Sequence, residues 1–528
     1  MGWYSSLIQQ KLRTSGGAIQ LSATEGAGLN GILLKTIGSS GTLTGLSWTD
    51  TAYAPTTLGM VSAENAYITT QDAAAVSGFV AAGSGVDFAN ATQIAASSGQ
   101  ILVSGSTAAD DRVYNLTSGA GWTGLTNCGH SGDISVQVTG TTTYTMFGSM
   151  NGADAGNLLV QVDEGATVGD GTYNGVTAAI AGSYGGGSAE QFRVFVNGGT
   201  VKGDIVGGSI NGNGKIDSAV IAVNGGTVDG KIVAGSKISG AAASVNQAVV
   251  TVTGGTIKGG IEKGNVAYAS VSIVGNSADI RGNIEADKVA LRNVAESGNA
   301  AGFDQYDGMI KTDALVLDNV VMKKAYVQGL TLGAVIDSLS VMNGSDAELN
   351  AGDRLSVGRL ELGCGTSLGL FLKAENHVVS TATETSLIVT DTLLVGGSGA
   401  TLNANLELVD GSTLALAGNS LALGSSLTLG NVLLDDATLA EVWALGAGES
   451  LTLFSGVDTL VVGGSSYTGA FTTDAARIFA NVGEADEYIL IYSGSADGVV
   501  SIQAVPEPTT ATLSLLALAG LVARRRRK

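Results

Sequence analysis

One phrase of this sequence returns at a nearly fixed interval, and it restricts the fold more than any other feature of the chain. Val194 opens VFVNGGTVKGDIVGGSI, Val220 opens VIAVNGGTVDGKIVAGSKI, and Val249 opens VVTVTGGTIKGGIEKGNVA. A degenerate copy, VSIVGNSADIRGNIEADKV, follows from Val271, and an earlier relative, LVQVDEGATVGDGTYNGV, starts at Leu159. The threonines of the three GGT copies, Thr200, Thr227 and Thr256, stand 27 and 29 residues apart. Within each copy β-branched residues alternate with polar ones, which is the pattern of a half-buried strand. The Gly pair that follows suits a corner requiring positive φ. A single unit has too little apolar surface to fold alone, whereas stacked units bury the inward Val and Ile of each rung against the next. The spacing therefore predicts an all-β, elongated β-solenoid, with the parallel β-helix as its leading form. At ~4.8 Å per rung, roughly twenty rungs would make a rod on the order of 100 Å long. A β-propeller ranks lower, because its blades run nearer ~40 residues with recurring aromatics. A sandwich array ranks lower still, because the units are short.

The rest of the chain varies this theme. From about 311 to 436 Leu-x-Leu pairs come quickly, as Leu406/Leu408, Leu414/Leu416, Leu421/Leu423 and Leu427/Leu429, with Gly, Ser, Asn and Asp between them. Short strands of this kind suit solenoid faces with each Leu pair pointing inward. Asp435 to Leu445 reads as a brief helix. Longer strands return in SLTLF, DTLVV and EYILIY, as expected of a terminal β-cap closing the last rung. The domain reading is an irregular β-rich region over 1–150, solenoid repeats over 151–436, a C-terminal β-cap over 437–504 and a tail over 505–528.

Composition separates this chain from a disordered Gly-rich polymer. Gly reaches 79 residues, but hydrophobic residues make up 44%, and no Pro stands between Pro55 and Pro506. A disordered linker carries more Pro and charge and fewer aliphatics. The net charge is −20, and the tail sets five bases against Glu507, a local +4 that leaves −24 on the remainder. Such a body is repelled by nucleic acid and by anionic headgroups, so no nucleic-acid partner is expected. Cys128 and Cys364 stand too far apart in sequence to suggest a disulfide scaffold.

Few residues are suited to catalysis or metal binding. The only histidines are His130, two residues from Cys128, and His377 beside Glu375. Neither belongs to a Cys-x-x-Cys or His-x-x-x-His pair, so they read as a turn and a solvated loop. The acid doublets Asp110-Asp111 and Asp435-Asp436 would point to opposite faces of a strand, which suits paired carboxylate catalysis poorly. Only eight arginines precede the tail. The segment Asn211 to Asp217 alternates oxygen ligands but lacks the Asp-rich opening and distal Glu of an EF-hand, and reads as a corner. No catalytic, cofactor-binding or metal residue is assigned.

The tail runs Val505-Pro506-Glu507-Pro508, then an apolar stretch from Ala511 to Ala523, then Arg524, Arg525, Arg526, Arg527 and Lys528. The prolines keep it from extending the strand before it. The apolar stretch suits a short C-terminal helix, below the ~20 residues that comfortably span a bilayer. Motif, apolar run and basic cluster, in that order, resemble the PEP-CTERM sorting tail of certain Gram-negative surface proteins. The region from about 380 onward more loosely resembles the stalk of such proteins with autotransporter-like passengers. The resemblance implies that an exosortase-type membrane protease recognises Pro506, Glu507 and Pro508. It also implies that the apolar run contacts the membrane and that Arg524 to Lys528 act as the stop-transfer cluster. That family pairs its tail with an N-terminal export signal. Met1 to Arg13 lacks the basic-then-apolar pattern of one, so the signal is expected to be missing from this chain.

Together these features predict a non-enzymatic bacterial cell-envelope or secreted surface protein. It would be a structural or adhesive β-solenoid whose Thr/Ser/Asn face meets glycans or matrix polymer. The rival, from a different class, is a secreted polysaccharide lyase or hydrolase on a β-helix.

Overall fold

The Val-x-Val segments form strands, and each lies directly on its counterpart one repeat earlier. The computed structural model describes residues 133–506 except 143–145, 151–153, 170–177, 185–186, 239–244, 295–308, 331–334, 351, 353, 372–384 and 485–486. It also describes the backbone of short strands at 60–61, 66–67, 99–104, 112–116 and 122–128. The expected helix at 511–523 and most of region 1–150 lie outside the described residues. The protein is mostly β with long parallel sheets and a repeat-like architecture. It divides into two compact units, residues 1–312 and 313–528, taken in turn.

In the first unit the strands Ile134–Val138, Leu158–Val162, Ser188–Val196, Ile216–Val223, Val245–Val252, Val266–Val274 and Lys288–Arg292 pair parallel in that order. The register places Val136, Val160, Val194, Ile221, Val250, Val271 and Val289 in one column. All seven are buried. Each such side chain contributes roughly 1.5–3 kcal/mol when removed from water, and the column is continuous because each member lies in register on the next. A second ladder stacks the GGT threonines, with Thr200 on Thr227 and Thr227 on Thr256. A third stacks Ile205, Ile232, Ile261 and Ile284.

The Gly pair between the first two ladders is fixed by space as well as by torsion. Gly226 has φ +74°, and a Cβ there would lie 2.5 Å from the backbone of Gly198 and Gly199 in the coil below. Beside this corner the polar side chains form a ladder of their own. Gln137, Gln161 and Asn197 donate from their amides to the Asp163 carboxylate. Asn224 Nδ2 then donates to Asn197 Oδ1 at 3.0 Å, and Thr253 Oγ1 to Asn224 Oδ1 at 2.9 Å.

The strands of this unit depart from simple half-burial. Between 134 and 223 the outward positions Ser135, Gln137, Leu159, Gln161, Arg193, Phe195, Val220 and Ala222 are buried too. In the next two coils the outward Val249, Thr251, Ser270 and Ser272 are only half-buried. The sequence changes with the burial, since FRVFV and AVIAV are almost continuously apolar while AVVTV and SVSIV alternate. Continuous apolar runs mark strands buried on both faces.

The second unit replaces Val by Leu. Leu315, Leu339, Leu360, Leu393, Leu414 and Leu434 form one in-register column across parallel strands, all buried. Leu355, Leu387, Leu406, Leu427 and Leu460 form another. All eight residues of the four Leu-x-Leu pairs are buried. Within the segment 435–445 a helix spans Asp436–Trp443, started by Asp435, whose carboxylate accepts from the Thr438 N–H at 3.0 Å.

Parallel pairing gives way to antiparallel pairing after residue 450. Ser450–Ser455 lies parallel to Leu421–Leu423 on one side and antiparallel to Val500–Ala504 on the other. Tyr488–Tyr492 and Phe471–Asp474 complete an antiparallel sheet. Tyr492 is fully buried here, with its hydroxyl within 2.9 Å of the Val457 carbonyl and 3.0 Å of that of Asp458. Burial pushes this phenol above its usual pKa, and the Asp458 charge adds to the shift.

Candidate functional site

Two places in the second unit bear on function: the point where the tail begins and a cleft beside the antiparallel sheet. The last strand ends at Ala504. The Val505 N–H still donates to the Glu487 carbonyl at 2.9 Å, and Val505 is half-buried. Pro506 is exposed. Having no N–H, it cannot extend the ladder, so the sheet stops where the motif starts. Glu507, Pro508 and the basic residues Arg524, Arg525, Arg526, Arg527 and Lys528 lie outside the described residues.

The cleft has a volume of about 860 Å³. Its floor is the outward side of the strands Asn405–Leu408 and Ser426–Leu429, where Glu407 and Thr428 are register neighbours. Alternation fixes this, since Leu406, Leu408, Leu427 and Leu429 face the core and leave Glu407 and Thr428 pointing away. The corners after these strands add Asp410 and Asn431, tied by the Asn431 N–H donating to Asp410 Oδ1 at 2.7 Å. Thr459–Val462 pairs parallel with Ser426–Leu429 and continues that sheet, and its hairpin with Ser465–Tyr467, together with Phe471–Asp474, supplies the rest of the lining. This part presents Tyr467 and Phe471, whose rings stack with centroids 3.7 Å apart at 25°. Arg477 joins the lining from a short 3₁₀ turn that Asp474 caps by accepting from the Ala476 N–H. That turn is tied back to the coils by the Val432 N–H donating to the Ile478 carbonyl at 2.7 Å.

The remaining candidates from sequence have structural partners or lie outside the described residues. Asp435 is occupied as a helix cap. Asp217, at the end of the Asn211 segment, accepts from Asn246 Nδ2 at 2.9 Å, and Gly212 has φ +85°. His130, His377 and Asp110-Asp111 are outside the described residues. Among the described residues no three His, Cys, Asp or Glu side chains gather as a metal cluster would require. No helix among them is long and apolar enough to cross a membrane.

Charged side chains in the first unit pair between coils. Asp229 meets Lys258 at 2.7 Å and Lys202 at 3.8 Å, while Lys231 pairs with Glu262, Lys237 with Asp204 and Lys263 with Asp287. The hydrogen bond from Lys231 to Glu262, followed by the attraction of that charge, raises the pKa of the ammonium. Exposed pairs of this kind contribute at most about 1 kcal/mol each. Their effect is to match charge between neighbouring coils.

Compared with known proteins, the chain matches no family model, no curated protein and no solved structure. Sequence reasoning missed the cleft. Its residues are drawn from 407 to 478 and meet only because the chain folds back antiparallel after residue 450. Gly463-Gly464, both at positive φ, forms the two-residue turn of the first hairpin and is the local signal that could have found it.

Proposed function

We propose that this chain is a non-enzymatic surface protein of a bacterial cell envelope, built as a parallel β-solenoid and sorted through its C-terminal tail. The observation that carries the reading is the exposed Pro506 immediately past the last paired residue of the antiparallel sheet. A processing protease needs its motif clear of folded structure, and the sheet ends where the motif begins. The proposed partners are an exosortase-type protease acting at Pro506, Glu507 and Pro508, and the membrane, met by the apolar stretch and the basic residues Arg524 to Lys528. A structural role is supported by the pairing of charged residues between coils and by the use of Asp435 as a cap.

The test is expression behind a secretory signal in a Gram-negative host with and without its exosortase, following an epitope placed after Lys528. The proposal expects the epitope to be lost from the mature protein only when the protease is present. It expects the Pro506→Ala, Glu507→Gln double variant to retain it. Identical mass and location in both hosts would remove the basis for the sorting role.

A further inference from the structure

We propose that the cleft lined by Glu407, Asp410, Asn431, Tyr467, Phe471 and Arg477 binds a short stretch of neutral saccharide. The inference rests on the surface-protein reading for its setting, but not for its chemistry. A volume of about 860 Å³ falls inside the ~300–1,000 Å³ of ordinary ligand sites, enough for a few sugar rings and too small for a folded partner.

The lining combines two kinds of surface, as a sugar ring does. A pyranose has C–H faces that pack on aromatic rings and a rim of hydroxyls that donate and accept. Tyr467 and Phe471 supply the apolar surface, both half-buried and held in a stack by the hairpin and the neighbouring strand. Aromatic rings of this kind give large contact area, and the tyrosine adds a polar tip. In the same cleft Glu407 and Asp410 carry carboxylate acceptors, suited to hydroxyl donors. Hydrogen bonds to such charged groups are stronger than neutral ones. Asn431 and Arg477 supply donors in the same lining.

Charge selects the class of sugar. Two carboxylates against one guanidinium leave the cleft net negative, and the chain ahead of its tail is also strongly acidic. Uronate or sulfated chains would meet repulsion, so the occupant is neutral. A cationic peptide would pair with the carboxylates and could rest a cation on an aromatic face, but the Arg477 guanidinium in the same lining repels it.

The experiment is calorimetric titration of the full chain with cellotriose, maltotriose and chitotriose, with trigalacturonate and trilysine as charged comparisons. At least one neutral trisaccharide is expected to bind saturably and more tightly than either charged probe. Glu407→Gln with Asp410→Asn, nearly isosteric and confined to the cleft lining, is expected to weaken it by about tenfold, the scale of one lost charge-assisted hydrogen bond. Tyr467→Ala is expected to weaken it at least as much, with circular dichroism confirming that the fold is kept. If Tyr467→Ala unfolds, the carboxylate variant alone decides. Failure of all three neutral sugars to saturate, tighter binding of a charged probe, or unchanged affinity in the carboxylate variant would each overturn the proposal. Binding is measured without processing of the tail, so a failed sorting experiment leaves this result standing, and the reverse also holds.

Discussion

Gly226→Ala tests how closely neighbouring coils approach at the Gly-Gly corner, and a second glycine supplies the control. Gly226 has φ +74°, and Gly165, in the corresponding turn of an earlier coil, has φ +81°. Each substitution forces an L side chain into the left-handed region, at roughly 1–2 kcal/mol. At Gly165 nothing lies within 4 Å of the added Cβ, so the torsional term is the whole cost. At Gly226 the same atom would sit 2.5 Å from Gly198 C and Gly199 O, backbone that cannot rotate away. Relieving that overlap requires the coils to part, a further cost of about 1–3 kcal/mol on the scale of overpacked cores. The total for Gly226→Ala is therefore about 2–5 kcal/mol, against about 1–2 for Gly165→Ala. Repeat structures open locally, so amide hydrogen exchange is a better assay than a single melting curve. The Thr227 N–H, bonded to the Gly199 carbonyl at 2.9 Å, and the Thr256 N–H, bonded to Gly226 at 2.9 Å, are the reporters. Both should exchange about tenfold or more faster in Gly226→Ala than in Gly165→Ala. Equal protection in the two variants would refute the close approach.

Three further outcomes follow from buried groups. Leu393→Ala empties a site between Leu360 and Leu414 and should destabilise the second unit by about 2–5 kcal/mol, read from the urea midpoint of a cap-side probe. Asp163→Ala leaves the amides of Gln137, Gln161 and Asn197 without their shared acceptor, and it should cost about 1–3 kcal/mol in the first unit by the same assay. Tyr492 binds its proton more tightly when folded than its unfolded value of about 10. Its contribution is therefore fully present below that pH and lost as pH rises through the higher folded pKa. Chemical denaturation across the alkaline range should show stability falling above about pH 10, and Tyr492→Phe should remove that part of the slope.

Much of the fold was legible because its period is carried by side chains that alternate strictly. The Leu-x-Leu pairs all face the core, and the GGT threonines, 27 and 29 residues apart, lie on one another. The burial of outward positions was partly present in the letters, in the almost continuously apolar FRVFV and AVIAV, but not in ISVQV, where the buried outward Ser135 and Gln137 are polar. A reading based on alternation passes over it. The cleft went unread although Gly463-Gly464 marks the hairpin that brings Tyr467 to it; the pairing that sets Phe471 in the same lining as Glu407 is long-range and has no such local mark. The end of the last described strand was legible for a simple reason. A proline cannot donate to a sheet, and Pro506 stands where the sheet ends.

The most direct test of the account is the neighbour relation between equivalent residues of successive coils. Spin labels would be placed pairwise on cysteines at positions 200, 227 and 256, with Cys128 and Cys364 replaced by serine. Parallel stacking in register predicts strong dipolar broadening for 200 with 227 and for 227 with 256, one strand spacing of about 4.8 Å apart, and weaker broadening for 200 with 256 at about twice that. Absence of broadening in the adjacent pairs, or its maximum in the 200 with 256 pair, would contradict the stacked-coil architecture.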